Sequence, residues 1–253
     1  MRTAVVTGGN RGIGRAVVES LVAKGYRGVA LCRQPVAIPG AEVVTGDLSS
    51  SRTVAAAAEA LADTCPAIDV LVHNAGVWPT RLAHNEDGIE QAFAVNHLAP
   101  FQLNLALEDR LTRVVQVSAG LYVKGQVDPV RTPAGADFHR MRTYCDTKLA
   151  NLLVLPLFAR RWQDAGVTID AVHPGVIRTG LGDPGGPLGL VLKAVKLTWA
   201  KPRAGAVPVV GLAERTDGTG RYFHLDTEQP VPRDPELAER LWAQALELTG
   251  VAG

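Results

Sequence analysis

Short unbroken apolar runs alternate along this chain with stretches in which apolar positions recur at helical spacing. TAVVT, residues 3–7, reads as a first strand, and Ile13–Ala23, with Ile13, Val17 and Leu21 four apart, reads as a helix stopped by Gly25. GVALC and AEVVTG follow as strands. Only RQPVAIPG joins them, and its two prolines leave no room for a helix. The alternation then resumes with a helix over 51–62, the strand IDVLVHN, a helix from about Asp87 to Leu105, the strand RVVQVSA, a helix from about Arg142 to Trp162, and the strand TIDAVHP. Near the end, GRYFHLD reads as a last strand. A helix follows, opened by Asp234 as N-cap and Pro235, with Leu237, Leu241, Ala245 and Leu248 as its buried stripe.

Strands of nearly continuous Val, Ile and Leu, each followed by a helix, predict an α/β fold: a doubly wound parallel sheet covered by helices on both faces. Two stretches interrupt the rhythm, a loop over 120–141 and an excursion over 178–203 with an apolar centre. Neither looks like a linker, so residues 1–253 are expected to form a single domain.

Composition narrows the function. Against 26 Lys and Arg stand 25 Asp and Glu, so no global field favours nucleic acid or an anionic membrane, and a small molecule is the expected partner. The three cysteines are scattered and the six histidines are not at ligand spacing, which predicts a reducing compartment and no metal site. The chain enters its first strand directly, without a targeting segment. Leu188–Trp199, its best candidate for a membrane segment, is broken by Lys193 and Lys196, so a cytoplasmic protein without a transmembrane segment is expected.

The first strand runs into AVVTGGNRGIG. A glycine-rich turn between a strand and a helix places unpaired N–H groups and the positive helix end where a pyrophosphate can sit. Gly8, Gly12 and Gly14 are not spaced as GxGxxG; they resemble the TGxxxGxG element of the short-chain dehydrogenase/reductase family, with Asn10, Arg11 and Ile13 inside it. Further matches follow in family order. Asp47 and Leu48 in GDLSS resemble the adenine-side segment, and Asn74, Ala75 and Gly76 in HNAG resemble its NNAG element. Asn96 matches the active-site asparagine, and Tyr144 and Lys148 in YCDTK match the YxxxK pair. Pro174, Gly175, Val176 and Thr179 in HPGVIRT match the nicotinamide-side loop. NHLAPF, KLANLL and AVHPGVIRT resemble most the retinol-dehydrogenase-like and protochlorophyllide-reductase-like branch.

That resemblance implies a single Rossmann-type domain with a substrate lid at about 178–203. It also implies carbonyl reduction in which hydride comes from a nicotinamide and a proton from Tyr144. Tyr144 and Lys148, four apart on a helix, share a face, and an adjacent ammonium is expected to lower the phenol's pKa. By resemblance, Lys148 also holds the nicotinamide ribose and Asn96 a water of the proton relay. Where NAD binders carry an acidic residue, about 20 positions past the glycines, this chain has Cys32 and Arg33. With Arg11 in the turn, the two guanidiniums favour NADPH.

One position departs from the family. Its catalytic serine, the second of VSS, aligns with Ala119 in VQVSAG, and Ser118 stands one residue early. Either the strand end bulges to present Ser118, or the site works without that hydroxyl. A non-catalytic NADP(H)-binding sensor or scaffold is therefore the alternative to an enzyme. Leu181, Leu188, Leu190, Leu192, Val195, Leu197 and Trp199 make the lid region apolar, which implies an apolar or aromatic ketone, aldehyde or quinone-like substrate. A homodimer is compatible with the chain, although the long loop before Tyr144 stands near the family's usual helix-pair interface.

Overall fold

The computed structural model describes residues 1–176 and 201–251. Among the described residues eight strands form one sheet in the order β3-β2-β1-β4-β5-β6-β7-β8. The strands are β1 (Thr3–Thr7), β2 (Arg27–Cys32), β3 (Ala41–Thr45), β4 (Val70–His73), β5 (Arg113–Val117), β6 (Thr168–His173), β7 (Tyr222–His224) and β8 (Thr227–Gln229). All neighbours pair in parallel except β7 and β8. Chain order reverses at β1, beside β4. Open α/β sheets bind ligands outside the carboxyl ends of their strands at such a point.

The α-helices among the described residues are α1 (Gly12–Ala23), α2 (Ser51–Thr64), α3 (Gln91–Phe93), α4 (Ala99–Ala106), α5 (Arg142–Arg161), α6 (Pro202–Ala213) and α7 (Pro235–Thr249). Period-2 strand geometry sorts the core into two layers. Val5, Leu31, Leu71, Val114 and Ile169 face α2, α4, α5 and α7. Val6, Ala30, Val72, Val115 and Val172 face α1 and α6. Over α4 and α5 lies α7, whose Trp242 meets Phe101 and Phe158 at centroid distances of 4.8 and 4.6 Å.

Several expectations are adjusted. The helix read from Asp87 begins at Gln91, because Asn85 Oδ1 takes the N–H groups of Asp87 and Ile89 and holds that stretch as a loop. Its middle, Ala94–Leu98, is a π-turn. GRYFHLD is not a single last strand; the chain reverses at Leu225, φ 59°, into β8. The sequence reading also missed α6, whose Pro202 stands at the helix start and whose Val209, Val210 and Leu212 are buried. Asp234 does cap α7, accepting from Leu237 N at 3.0 Å, but the buried stripe is Ala238, Leu241, Ala245 and Thr249, with Leu237 and Leu248 on its flank.

Candidate active site

The glycine turn is built by close approach. Gly8 and Gly12 have φ of +65° and +58°, a region that L side chains avoid. A Cβ on Gly14 would lie 2.5 Å from the Gly8 carbonyl oxygen and 2.3 Å from Asn74 Nδ2, so α1 packs against the turn and the turn against the residues after β4. The Thr7 hydroxyl holds this junction by accepting from the N–H groups of Asn74 and Ala75, at 3.1 and 3.0 Å. Asn74 Nδ2 donates to the Thr7 carbonyl at 2.9 Å. Thr7 was not picked out in the sequence, where it looked like an ordinary strand residue.

The same turn fits a pyrophosphate. Nothing lies within 4 Å of a Cβ built on Gly12, and α1 starts without a side-chain cap or an acidic residue in its first turn. Its leading N–H groups are therefore left for an anion. Asn10 and Ile13 flank the opening, half-buried, and Arg11 is exposed. At the end of β2, Cys32 is buried and Arg33 exposed. Among the described residues neither Arg11 nor Arg33 is in an ion pair. Asp47 accepts from Ser49 N and Oγ, at 3.2 and 2.9 Å, beside buried Leu48.

Across the switch point, α5 carries Tyr144 and Lys148 on one face. Lys148 is buried, and its Nζ donates to the Val117 carbonyl at 3.0 Å while lying 5.7 Å from the Tyr144 ring centroid. Burial lowers the lysine to about 8. It also pushes the Tyr144 phenol above its ordinary value, which corrects the expectation of a lowered phenol. The reason is that both groups are desolvated and the ammonium's hydrogen bond goes to a backbone carbonyl, not to the phenol. Such a tyrosine is protonated at neutral pH.

Asn96 lies in the π-turn, 1% exposed. Its side chain pairs with one residue in both directions: Oδ1 accepts from Val77 N at 2.7 Å, and Nδ2 donates to Val77 O at 2.9 Å and to Thr147 Oγ1 at 3.2 Å. Asn96 therefore ties the segment after Gly76 to α5, and its backbone carbonyl accepts from Asn151 Nδ2 at 2.8 Å.

Ser118 continues the β5–β6 ladder, its N–H donating to Val172 O at 2.8 Å, so the bulged alternative does not form there. Regular alternation puts Ser118 on the α4–α5 side with Val114 and Gln116, and Ala119, extended at φ −146°, on the other. The Ser118 hydroxyl is buried with no hydrogen-bond partner among the described residues. Gly120 comes next, where a Cβ would sit 3.1 Å from the His173 ring, and His173 stacks on His224 with centroids 4.9 Å apart. Pro174, Gly175 at φ +87° and exposed Val176 lead away from β6. Thr179 and the apolar lid residues from Leu181 to Trp199 lie outside the described residues.

Trp78 was missed in the sequence. Its ring stacks on that of Tyr144, with centroids 4.4 Å apart and planes 6° from parallel, and its indole N–H donates to the Arg140 carbonyl. A lone tryptophan two residues past Gly76 carries no periodic or motif signal, and only the fold brings it to the tyrosine.

The family model described as short chain dehydrogenase matches residues 2–185, well over half of the sequence. The chain belongs to the short-chain dehydrogenase family. Family membership makes it an oxidoreductase that uses a nicotinamide cofactor, and its similarities lie on the retinol-dehydrogenase-like branch. It is 32% identical to retinol dehydrogenase 13 of Homo sapiens over 99% of this chain and 85% of that one. It is 34% identical to a Streptomyces sp. (strain C5) protein provisionally described as a daunorubicin C-13 ketoreductase, over 98% and 93%. A crystal structure of an uncharacterized protein from Mycobacterium paratuberculosis superposes with a TM-score of 0.79 at 27% identity, covering 99% of this short-chain dehydrogenase and 94% of the other chain. No helix among the described residues is long and apolar enough to cross a membrane.

Proposed function

We propose that this protein is an NADPH-dependent reductase of apolar or aromatic carbonyl compounds. The observation that carries the reading is the buried Tyr144 sharing a face of α5 with the buried Lys148, whose Nζ lies 5.7 Å from its ring centroid. When bound, the nicotinamide cofactor supplies the hydride. The chain's residues do the rest. The turn from Gly8 to Gly14, with Asn10 and Ile13, faces the pyrophosphate. Asp47 and Leu48 flank the adenine, and Asn74, Ala75, Gly76 and the segment from Pro174 to Thr179 flank the nicotinamide half. Lys148 holds the ribose.

Tyr144 passes its proton to the substrate oxygen as negative charge develops there, and Lys148, kept within reach by the Val117 carbonyl, offsets the phenolate left behind. Although no bulge presents it, Ser118 lies on the sheet side covered by α5 and its buried hydroxyl has no partner among the described residues, so we assign it to orient the carbonyl. Arg11 and Arg33, exposed and without ion pairs among the described residues, favour a 2'-phosphate over a 2'-hydroxyl. A flat apolar wall, Trp78 stacked on Tyr144, favours apolar or aromatic substrates, and residues 178–203 serve as the lid of this single-domain chain. Three free thiols accord with a reducing, cytoplasmic setting.

Ala119 at the aligned serine position favours one other reading, an NADP(H)-binding sensor or scaffold without turnover. Loss of NADPH absorbance with a panel of ketones, aldehydes and quinones decides between them. Cofactor binding without turnover of any of them would sink the reductase reading.

A further inference from the structure

Behind Asn96 runs a buried polar chain that the reduction chemistry does not use. It begins with a defect in the helix. A regular helix would satisfy the Asn96 carbonyl with the N–H four residues later, but that residue is Pro100, which has none. The backbone widens into the π-turn Ala94–Leu98 at this point. The side chain of Asn151, on α5 and 6% exposed, supplies a donor, its Nδ2 meeting the Asn96 carbonyl at 2.8 Å.

That bond orients the two side chains behind it. A carbonyl only accepts, so the Asn151 amide must point its nitrogen at Asn96 and its oxygen the other way. The oxygen lies 2.8 Å from His97 Nδ1, which must therefore be the protonated ring nitrogen. His97 is fully buried, and burial lowers it to about 4, so the ring is neutral and Nε2 carries a lone pair. Nε2 has no partner among the described residues. His97 borders a cavity of about 10 Å³, room for one water, which is also lined by Asn104, Gln116 and Asn151.

We infer that Asn151 and His97 are positioning residues for Asn96: the His97 Nδ1–H orients the Asn151 amide, which holds the Asn96 carbonyl in place of the N–H that Pro100 lacks. The inference rests on the proposed reductase reading, together with the relay water that the family resemblance assigns to Asn96. Its consequence is that the carbonyl, together with the Val77 and Thr147 contacts of the same residue, is set by α5, the helix that also carries Tyr144 and Lys148.

The first test uses the cofactor-free protein. Long-range nitrogen–proton NMR on the wild type should show His97 as the neutral Nδ1–H tautomer at pH 7; an Nε2–H tautomer or a charged ring overturns the inference. The second test uses Asn151→Leu, which keeps the size and removes the donor. It should lower kcat roughly tenfold or more, the scale of a disturbed proton transfer, with the NADPH Kd within about twofold of wild type. His97→Phe should lower kcat by a smaller factor. The double variant should lose no more than Asn151→Leu alone, because both changes break one chain.

Independent, multiplying losses, or an unchanged kcat in folded Asn151→Leu, would overturn the inference. A purely structural role would lower thermal stability and leave the kcat of the folded fraction alone. Tyr144→Phe, measured alongside, separates the two claims: retained turnover there refutes the acid assignment, whereas its loss with normal Asn151→Leu kinetics refutes only this inference.

Discussion

Gly14→Ala sets two physical effects against each other, and the structure decides the sign. Gly14 lies within α1 without a positive φ, so helix propensity alone predicts a gain of about 1 kcal/mol. The new Cβ, however, would stand 2.5 Å from the Gly8 carbonyl oxygen, a backbone atom, and 2.3 Å from the Asn74 amide. Forcing an extra carbon into a packed site costs about 1–3 kcal/mol. Displacing Asn74 from the Thr7 carbonyl adds about 1 kcal/mol. The net expectation is destabilisation of roughly 2 kcal/mol, read as a lower urea midpoint at unchanged slope and a Tm lower by roughly 4–8 °C.

Two further glycines serve as controls. Gly12 has open space around its Cβ but φ +58°, so Gly12→Ala should cost only the backbone penalty of about 1–2 kcal/mol. Gly211, exposed on α6 with open space and no positive φ, should gain up to about 1 kcal/mol as alanine. Gly14→Ala should also weaken NADPH binding, because the turn and the residues after β4 would separate. A Gly14→Ala protein as stable as the wild type would refute the close packing of the glycine turn.

Other expectations can be checked directly. Tyr144→Phe should abolish most turnover in a steady-state reductase assay while leaving NADPH affinity, followed by tryptophan fluorescence, nearly unchanged. NADPH should bind at least several-fold tighter than NADH, and Arg33→Asp should narrow that gap in the same titration. Ser118→Ala should lower turnover by roughly an order of magnitude, as for a lost transition-state donor. A gain in stability with unchanged turnover would instead assign that hydroxyl to packing. Because burial holds Lys148 at about 8, below its unfolded value near 10.5, the unfolded chain binds more protons between those pH values. The stability of the wild type relative to Lys148→Met should therefore rise from pH 8 to 10.5, and a flat difference in denaturation midpoints would contradict the buried ammonium.

The sheet was legible because β1, β2, β4, β5 and β6 are buried on both faces, and burial writes continuous apolar runs. The glycine turn and the pair on α5 were legible because they are local in sequence. What escaped is decided over distance. α6 hides its pattern behind Pro202 and Pro208, and β8 is three residues long, with both Thr227 and Glu228 exposed. The side-chain engagement of Asn96 with Val77, and the stack of Trp78 on Tyr144, join residues far apart in the chain. The direction of the Tyr144 shift was misjudged for the same reason: spacing shows that Lys148 is near, but desolvation depends on what the fold lays over both groups.

The C-terminal helix carries a consequence for biogenesis. Because α7 follows every other element in the chain, a growing polypeptide can pair β1 to β6 and fold α5 while Phe101 and Phe158 still face solvent. The nucleotide half can thus take shape early, but the helix bearing Tyr144 stays without its outer cover until Trp242 arrives. Chains stalled before that residue would expose an aromatic patch to chaperones, and the arrival of Trp242, rather than sheet assembly, would be the moment at which α5 becomes rigid.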